Sequence, residues 1–106
     1  MRYVFIGGMS FDKQAVAGYL GALPPGSRVV AGSGRGLEKF VLEQAPELQL
    51  EKTQLVNPYN QAEEVEALCA QALGETLVLG AANSVRVKDA RSFLKRANWP
   101  ITVVEL

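Results

Sequence analysis

Five short apolar runs, separated by segments whose apolar residues recur every three or four positions, leave this chain few folds to choose from. The runs fall at residues 3–6 (YVFI), 28–31 (RVVA), within 48–56, at 76–79 (TLVL) and at 101–104 (ITVV). Between the first two, Val16, Tyr19, Leu20 and Leu23 keep helical spacing. Leu37, Phe40, Val41 and Ala45 follow, then Ala62, Val65, Leu68, Cys69, Ala72 and Leu73, then Ala90, Phe93, Leu94 and Ala97. Strands alternating with helices form βαβ units, which place parallel strands in one sheet and helices over its faces. The expected fold is therefore α/β: a Rossmann-like three-layer sandwich with a five-stranded parallel sheet in the order 3-2-1-4-5. No linker or repeat interrupts the pattern, so residues 1–106 read as one domain. The third run is broken by Glu51, Lys52 and Gln54, which suits a sheet edge with one side in water.

Breakers and caps fall where the pattern needs them. Pro24-Pro25-Gly26 stops the first helix, and Ser10 or Asp12 can cap its start. Pro46 is expected to close the second helix by pushing the preceding residue out of helical angles. Asn60 can cap the third helix, with Glu63 and Glu64 in its first turn against the positive end of the dipole. The last helix is expected from about Val87 to Ala97.

Composition narrows the function classes. Eleven basic and eleven acidic residues cancel, so there is no global field to draw in nucleic acid or an anionic membrane, and any anion site must be local. With no histidine and one cysteine, a zinc or Cys/His catalytic centre is not expected, and no metal or cofactor is assigned. Cys69 has no partner for an internal disulfide and lies on an apolar stripe, so it reads as a core residue of a reducing compartment. The N-terminal residues lack the long apolar region of a signal peptide, and no run is long enough to span a bilayer. The expected setting is cytoplasmic. Trp99, just before Pro100, reads as packing at a helix–strand corner.

In parallel sheets of this kind ligands bind outside the carboxyl ends of the strands, where the strand order reverses. Three loops rich in small residues reach that edge: Gly7–Ser10, Gly32–Gly36 and Gly80–Ser84. The candidate ligand-binding residues are Gly7, Gly8 and Ser10 of the first, Gly32, Ser33, Gly34, Arg35 and Gly36 of the second, Asn83 and Ser84 of the third, and Arg86 just beyond it. The middle loop follows an apolar strand and opens a helix at Leu37. That geometry aims unpaired helix N-terminal N–H groups at an anion, with glycines expected to supply backbone angles closed to other residues. Arg35 could grip a phosphate there, or pair with Glu38 one turn on. Glu38 could hydrogen-bond a ribose, or serve as the carboxylate of an N-glycosidic hydrolysis, with Asp12 and Asp89 as candidates for a second carboxylate. Its plainer role is a first-turn carboxylate at a helix start. Arg86, Lys88 and Arg91 crowd the start of the last helix, as a local positive patch at the crevice or as a solvated basic face completed by Lys95 and Arg96.

The pairing of MRYVFIGG with VVAGSGRGLE resembles the SLOG superfamily, Rossmann-like domains related to DNA-processing proteins and to LOG-type phosphoribohydrolases. The small YspA-like single-domain members, bacterial and phage proteins, are the nearest in kind. Gly32, Arg35, Gly36 and Glu38 stand where that family has glycine, arginine, glycine and aspartate; Gly7 and Gly8 match its first turn loosely, and Phe11 keeps its aromatic residue. The late turn departs, with Gly80-Ala81-Ala82-Asn83-Ser84 in place of the Pro-Gly-Gly-x-Gly-Thr of the catalytic relatives. The resemblance implies binding of a nucleotide or nucleotide-derived signalling ligand, such as a mononucleotide, a cyclic dinucleotide or an ADP-ribose derivative, by a sensor or sink. It implies homo-oligomers too, as LOG-type relatives dimerise. Two alternatives stand beside it: a nucleoside-5'-phosphate N-glycosidase using Glu38, and a non-catalytic assembly protein. Nucleic acid is a weaker partner, since the chain lacks exposed aromatic platforms and net positive charge.

Overall fold

The computed structural model describes residues Met1–Leu106. In chain order the elements are β1 (Arg2–Ile6), α1 (Lys13–Gly21), β2 (Arg28–Ala31), α2 (Leu37–Gln44), a 3-10 turn (Pro46–Leu48), β3 (Glu51–Gln54), α3 (Gln61–Gln71), β4 (Thr76–Leu79), α4 (Val85–Ala97) and β5 (Thr102–Glu105). The five strands form one sheet in the order β3-β2-β1-β4-β5, every pair parallel. This is the α/β architecture that the alternation requires.

The pleat sorts the central strands between two cores. Val4, Ile6, Val30, Leu77 and Leu79 pack beneath α3 and α4, against Val65, Leu68, Cys69, Val87 and Ala90. Tyr3, Phe5, Val29 and Val78 face the other way, onto Val16 and Leu20 of α1 and Leu37 and Val41 of α2. Strands covered on both faces explain the unbroken apolar runs of β1, β2 and β4. The edge strand β3 shows the expected break, with Glu51, Lys52 and Gln54 exposed.

Caps decide the helix boundaries. The Asp12 carboxylate accepts from the N–H groups of Gln14 and Ala15 at 2.9 and 3.1 Å, so Asp12 rather than Ser10 starts α1. Asn60 accepts from Glu63 N–H at 3.1 Å. Ser84 caps α4, which begins at Val85, a turn's fraction earlier than Val87. Pro46 acts differently from expectation: Ala45 keeps helical angles (φ −54°, ψ −47°), and the proline opens a 3-10 turn after α2 has ended. Ala62 and Leu73, placed inward by periodicity, are exposed; Leu73 lies beyond the end of α3, and Ala62 lies in its first turn, at the margin of the stripe through Val65, Leu68 and Cys69.

Candidate functional site

Strand order reverses between β1 and β4, and the loops after β1, β2 and β4 meet there. The N–H of Leu37 donates to the Gly8 carbonyl at 3.0 Å, joining the first loop to the start of α2. A side chain on Gly36 would run into the Gly8 carbonyl and the Met9 backbone, and one on Gly8 would sit 2.8 Å from the Ser84 hydroxyl. None of the loop glycines has a left-handed backbone; positive φ is confined to Gly26 and Gly74 among the glycines. The glycines in the loop after β2 are thus required for space; none has a positive φ, while Gly36 (φ −99°, ψ −99°) does lie outside the regular helical and extended angles.

What fills that space is a set of charges supplied by the chain itself. Glu38 in the first turn of α2 is fully buried, and its carboxylate accepts from Gly32 N–H at 2.7 Å and Gly7 N–H at 3.3 Å. Glu64 in the first turn of α3 is also buried; it accepts from the N–H and hydroxyl of Ser33 at 2.6 and 2.9 Å and from Asn57 N–H at 2.9 Å. Arg86 in the first turn of α4 lies between them. Its Nε and Nη2 donate to the two oxygens of Glu38 at 2.5 and 2.7 Å, and Nη2 donates again to Glu64 at 2.8 Å. Nη1 donates to the side-chain oxygen of Gln61 at 2.6 Å. A guanidinium has five N–H donors; four are used here, leaving one on Nη1.

Electrostatics explains why this cluster holds. A cation in the first turn of a helix meets the positive end of the dipole, and Arg86 is only 13% exposed; two facing carboxylates offset both costs. Burial on its own lowers the Arg86 pKa, but the hydrogen bonds and charge of Glu38, then of Glu64, raise it above the ordinary arginine value. For Glu64 burial acts to raise the pKa. The donors from Ser33, Asn57 and Arg86 outweigh it and hold the carboxyl below its ordinary value. No buried side-chain polar atom lacks a partner. Two carboxylates against one guanidinium leave the cluster one negative charge in excess.

The sequence-predicted residues therefore divide. Gly7, Gly32 and Ser33 are brought together as expected, but their N–H groups hold Glu38 and Glu64. Arg86 holds those carboxylates too, so it is not a free cation of a patch; Arg91 is paired with Glu105 at 2.6 Å. Glu38 does not pair with Arg35. Asp12 is tied up as the cap of α1, and the second carboxylate near Glu38 is Glu64, whose position in the sequence suggests only a first-turn dipole partner. The signal was present: Glu38 lies three residues before Val41 and Glu64 four before Leu68, each on its helix's apolar stripe. No group of three or more His, Cys, Asp or Glu side chains is placed to hold a metal ion.

Two clefts flank the cluster. One, of about 310 Å³, is lined by Gly7, Gly8, Gly34, Arg35, Gln61 and Arg86. The other, of about 380 Å³, lies between Gly8, Met9 and Ser10 on one side and Asn83, Ser84 and Arg86 on the other. On the α1/α2 side a notch of about 360 Å³ gathers Phe11, Lys13, Arg35, Lys39 and Phe40, with Glu43 as its one acid. The Phe11 and Phe40 rings there have centroids 5.4 Å apart. Lys13, Arg35 and Lys39 form no ion pair, and the N–H groups of Gly34, Arg35 and Gly36 donate to nothing in the chain. The local positive patch is therefore at the head of α2, not of α4. In comparisons with protein-family models, curated proteins and solved structures, the chain matches none of them.

Proposed function

We propose that the protein binds a nucleotide or nucleotide-derived ligand at the carboxyl edge of its sheet. One observation carries this reading: three cations outside any ion pair, against one acid, Glu43, line a single notch with a pair of half-buried aromatic rings, at a turn whose N–H groups have no acceptor. The phosphate lies over Gly34–Gly36, with Arg35, Lys39 and Lys13 as its counter-charges. The base rests on Phe11 and Phe40, whose faces suit a flat π system. The likeness of Gly32, Arg35 and Gly36 to the SLOG turn supports the same ligand class. Gly32 in this reading holds Glu38 and shapes the turn, while Arg35 meets the ligand.

The N-glycosidase alternative is not favoured. Glu38 is fully buried and its oxygens already take four hydrogen bonds, so no face is left for a substrate.

The test is a thermal-unfolding titration with a mononucleotide, ADP-ribose, a cyclic dinucleotide and inorganic phosphate, read alongside native mass spectrometry. A ligand present at about 100 times its Kd stabilises the fold by about 2.7 kcal/mol. The expected result is a raised midpoint with one nucleotide, a smaller rise with phosphate, and loss of both in Arg35→Ala. A midpoint that no nucleotide moves overturns the reading.

A further inference from the structure

The two edges of the sheet are finished differently. On β3 the side chains are engaged: Glu51 with Arg28 at 2.7 Å, Lys52 with the Leu42 carbonyl at 3.3 Å, Gln54 with the Gly32 carbonyl at 3.1 Å. Charged and polar groups of this kind blunt an edge against pairing. At the opposite edge β5 shows Val103, 42% exposed. Thr102 N–H donates to the Glu75 carbonyl and Leu106 N–H to that of Leu79. By the alternation of a strand, the N–H and carbonyl of Val103 and Glu105 therefore face outward, unpaired.

Side-chain direction says what fits there. Val103 is registered with Leu77, whose side chain packs on the α3/α4 side, so Val103 and Glu105 point to that side as well. The Arg91–Glu105 pair agrees. Lys88, Arg91 and Lys95 recur at i, i+3 and i+7 and so form one stripe of α4, and neither lysine has an ion-pair partner. The edge thus offers an open backbone, an apolar centre at Val103 and an unpaired cation beyond it. β5 itself carries the complement of all three: an open backbone, Val103, and, two residues on, Glu105, whose Oε1 holds Arg91 and whose Oε2 has no partner.

We propose that β5 is the seam of a two-fold dimer of this chain, paired antiparallel with β5 of a second copy and centred on Val103. In that register each Val103 faces its counterpart. Glu105 of each copy lies opposite Ile101 of the other, at the end of the strand toward which α4 runs and within reach of Lys95. Isologous pairing of this kind is self-complementary and closed, and it joins the two sheets into one of ten strands.

Sedimentation across a concentration series tests this, with three variants. The wild type is expected to be a dimer. Val103→Glu, which sets two carboxylates face to face at the dyad, is expected to weaken it at least about tenfold while circular dichroism shows the fold retained. Lys52→Glu on the other edge is expected to leave it intact. Val103→Cys is expected to cross-link between copies under mild oxidation or with a short bis-maleimide, since Cys69 is buried, whereas Thr102→Cys is not. A wild type that stays monomeric overturns the proposal, including one that instead captures an acidic peptide. A dimer that survives Val103→Glu overturns it too.

Discussion

Arg86 meets Glu38 through a bidentate pair, Nε to one carboxylate oxygen and Nη2 to the other, although the two residues are 48 positions apart. The pair lies where a parallel α/β sheet presents its ligand crevice, and it turns the N–H groups of the glycine loops inward. A loop that looks like an anion cradle is thus already holding an anion. The groups left for a ligand lie one step outward, on Gly34–Gly36 and the cations around them.

Removing the guanidinium leaves two buried carboxylates facing each other. Arg86→Ala is expected to lose about 3–5 kcal/mol of unfolding free energy, a large part of a typical domain stability of about 5–15 kcal/mol. Arg86→Lys is expected to recover little, because an ammonium cannot make the two parallel bonds to Glu38. Urea denaturation at neutral pH measures both.

Acid should weaken the fold through Glu64. Its folded pKa lies below the ordinary value of 4.5, so the unfolded chain binds more protons as the pH drops toward and through that value. The stabilisation is complete above the unfolded pKa and is lost as the pH falls through the folded one. Glu64→Gln is expected to start less stable at neutral pH and to show a flatter decline between about pH 5 and pH 2. Thermal midpoints across that range give the comparison.

The glycines should separate by position. A methyl at Gly32 would press on the Glu64 and Glu38 carboxylates and on Arg86, and one at Gly36 would meet backbone that has no room to move. Both alanine variants are expected to be strongly destabilised. Gly18, inside α1, has nothing within 4 Å of an added Cβ, so Gly18→Ala is expected to gain about 0.5–1 kcal/mol from helix propensity alone. Equilibrium unfolding of the three variants decides whether the loop glycines serve packing.

Cys69 should be silent in the native state. Burial pushes its thiol up to about 12, with a smaller push from Glu66, so the thiolate that reacts is scarce and enclosed. A colorimetric thiol reagent at pH 8 is expected to label it only as fast as the protein opens.

The fold was legible because its information is periodic: β1, β2 and β4 are apolar on both faces, β3 is visibly interrupted, and Asp12 and Asn60 mark helix starts by their chemistry. The site was legible only in part. The loops were placed at the right edge, but a loop's neighbours come from other elements, and nothing at Gly32 announces Glu64 from 32 residues away. Two local conflicts did carry a signal: acids on the buried stripes of α2 and α3, and a cation at the wrong end of the α4 dipole. Each is unfavourable alone, and the three satisfy one another. Pro46 shows the reverse case, where a sound local rule gave way because Ala45 is buried in the core and keeps its helical angles there.

The Arg86 cluster draws on α2, α3 and α4 and on the loops after β1, β2 and β3, so the ion pairs of Arg86 close only when all three helices have docked on the sheet. Its consequence concerns the order of assembly. The bonds at Arg86 are therefore expected to close late, and a group that joins after the transition state governs how long the native state survives more than how fast it forms. A chain lacking the arginine would reach its shape at nearly the native rate and leave it sooner.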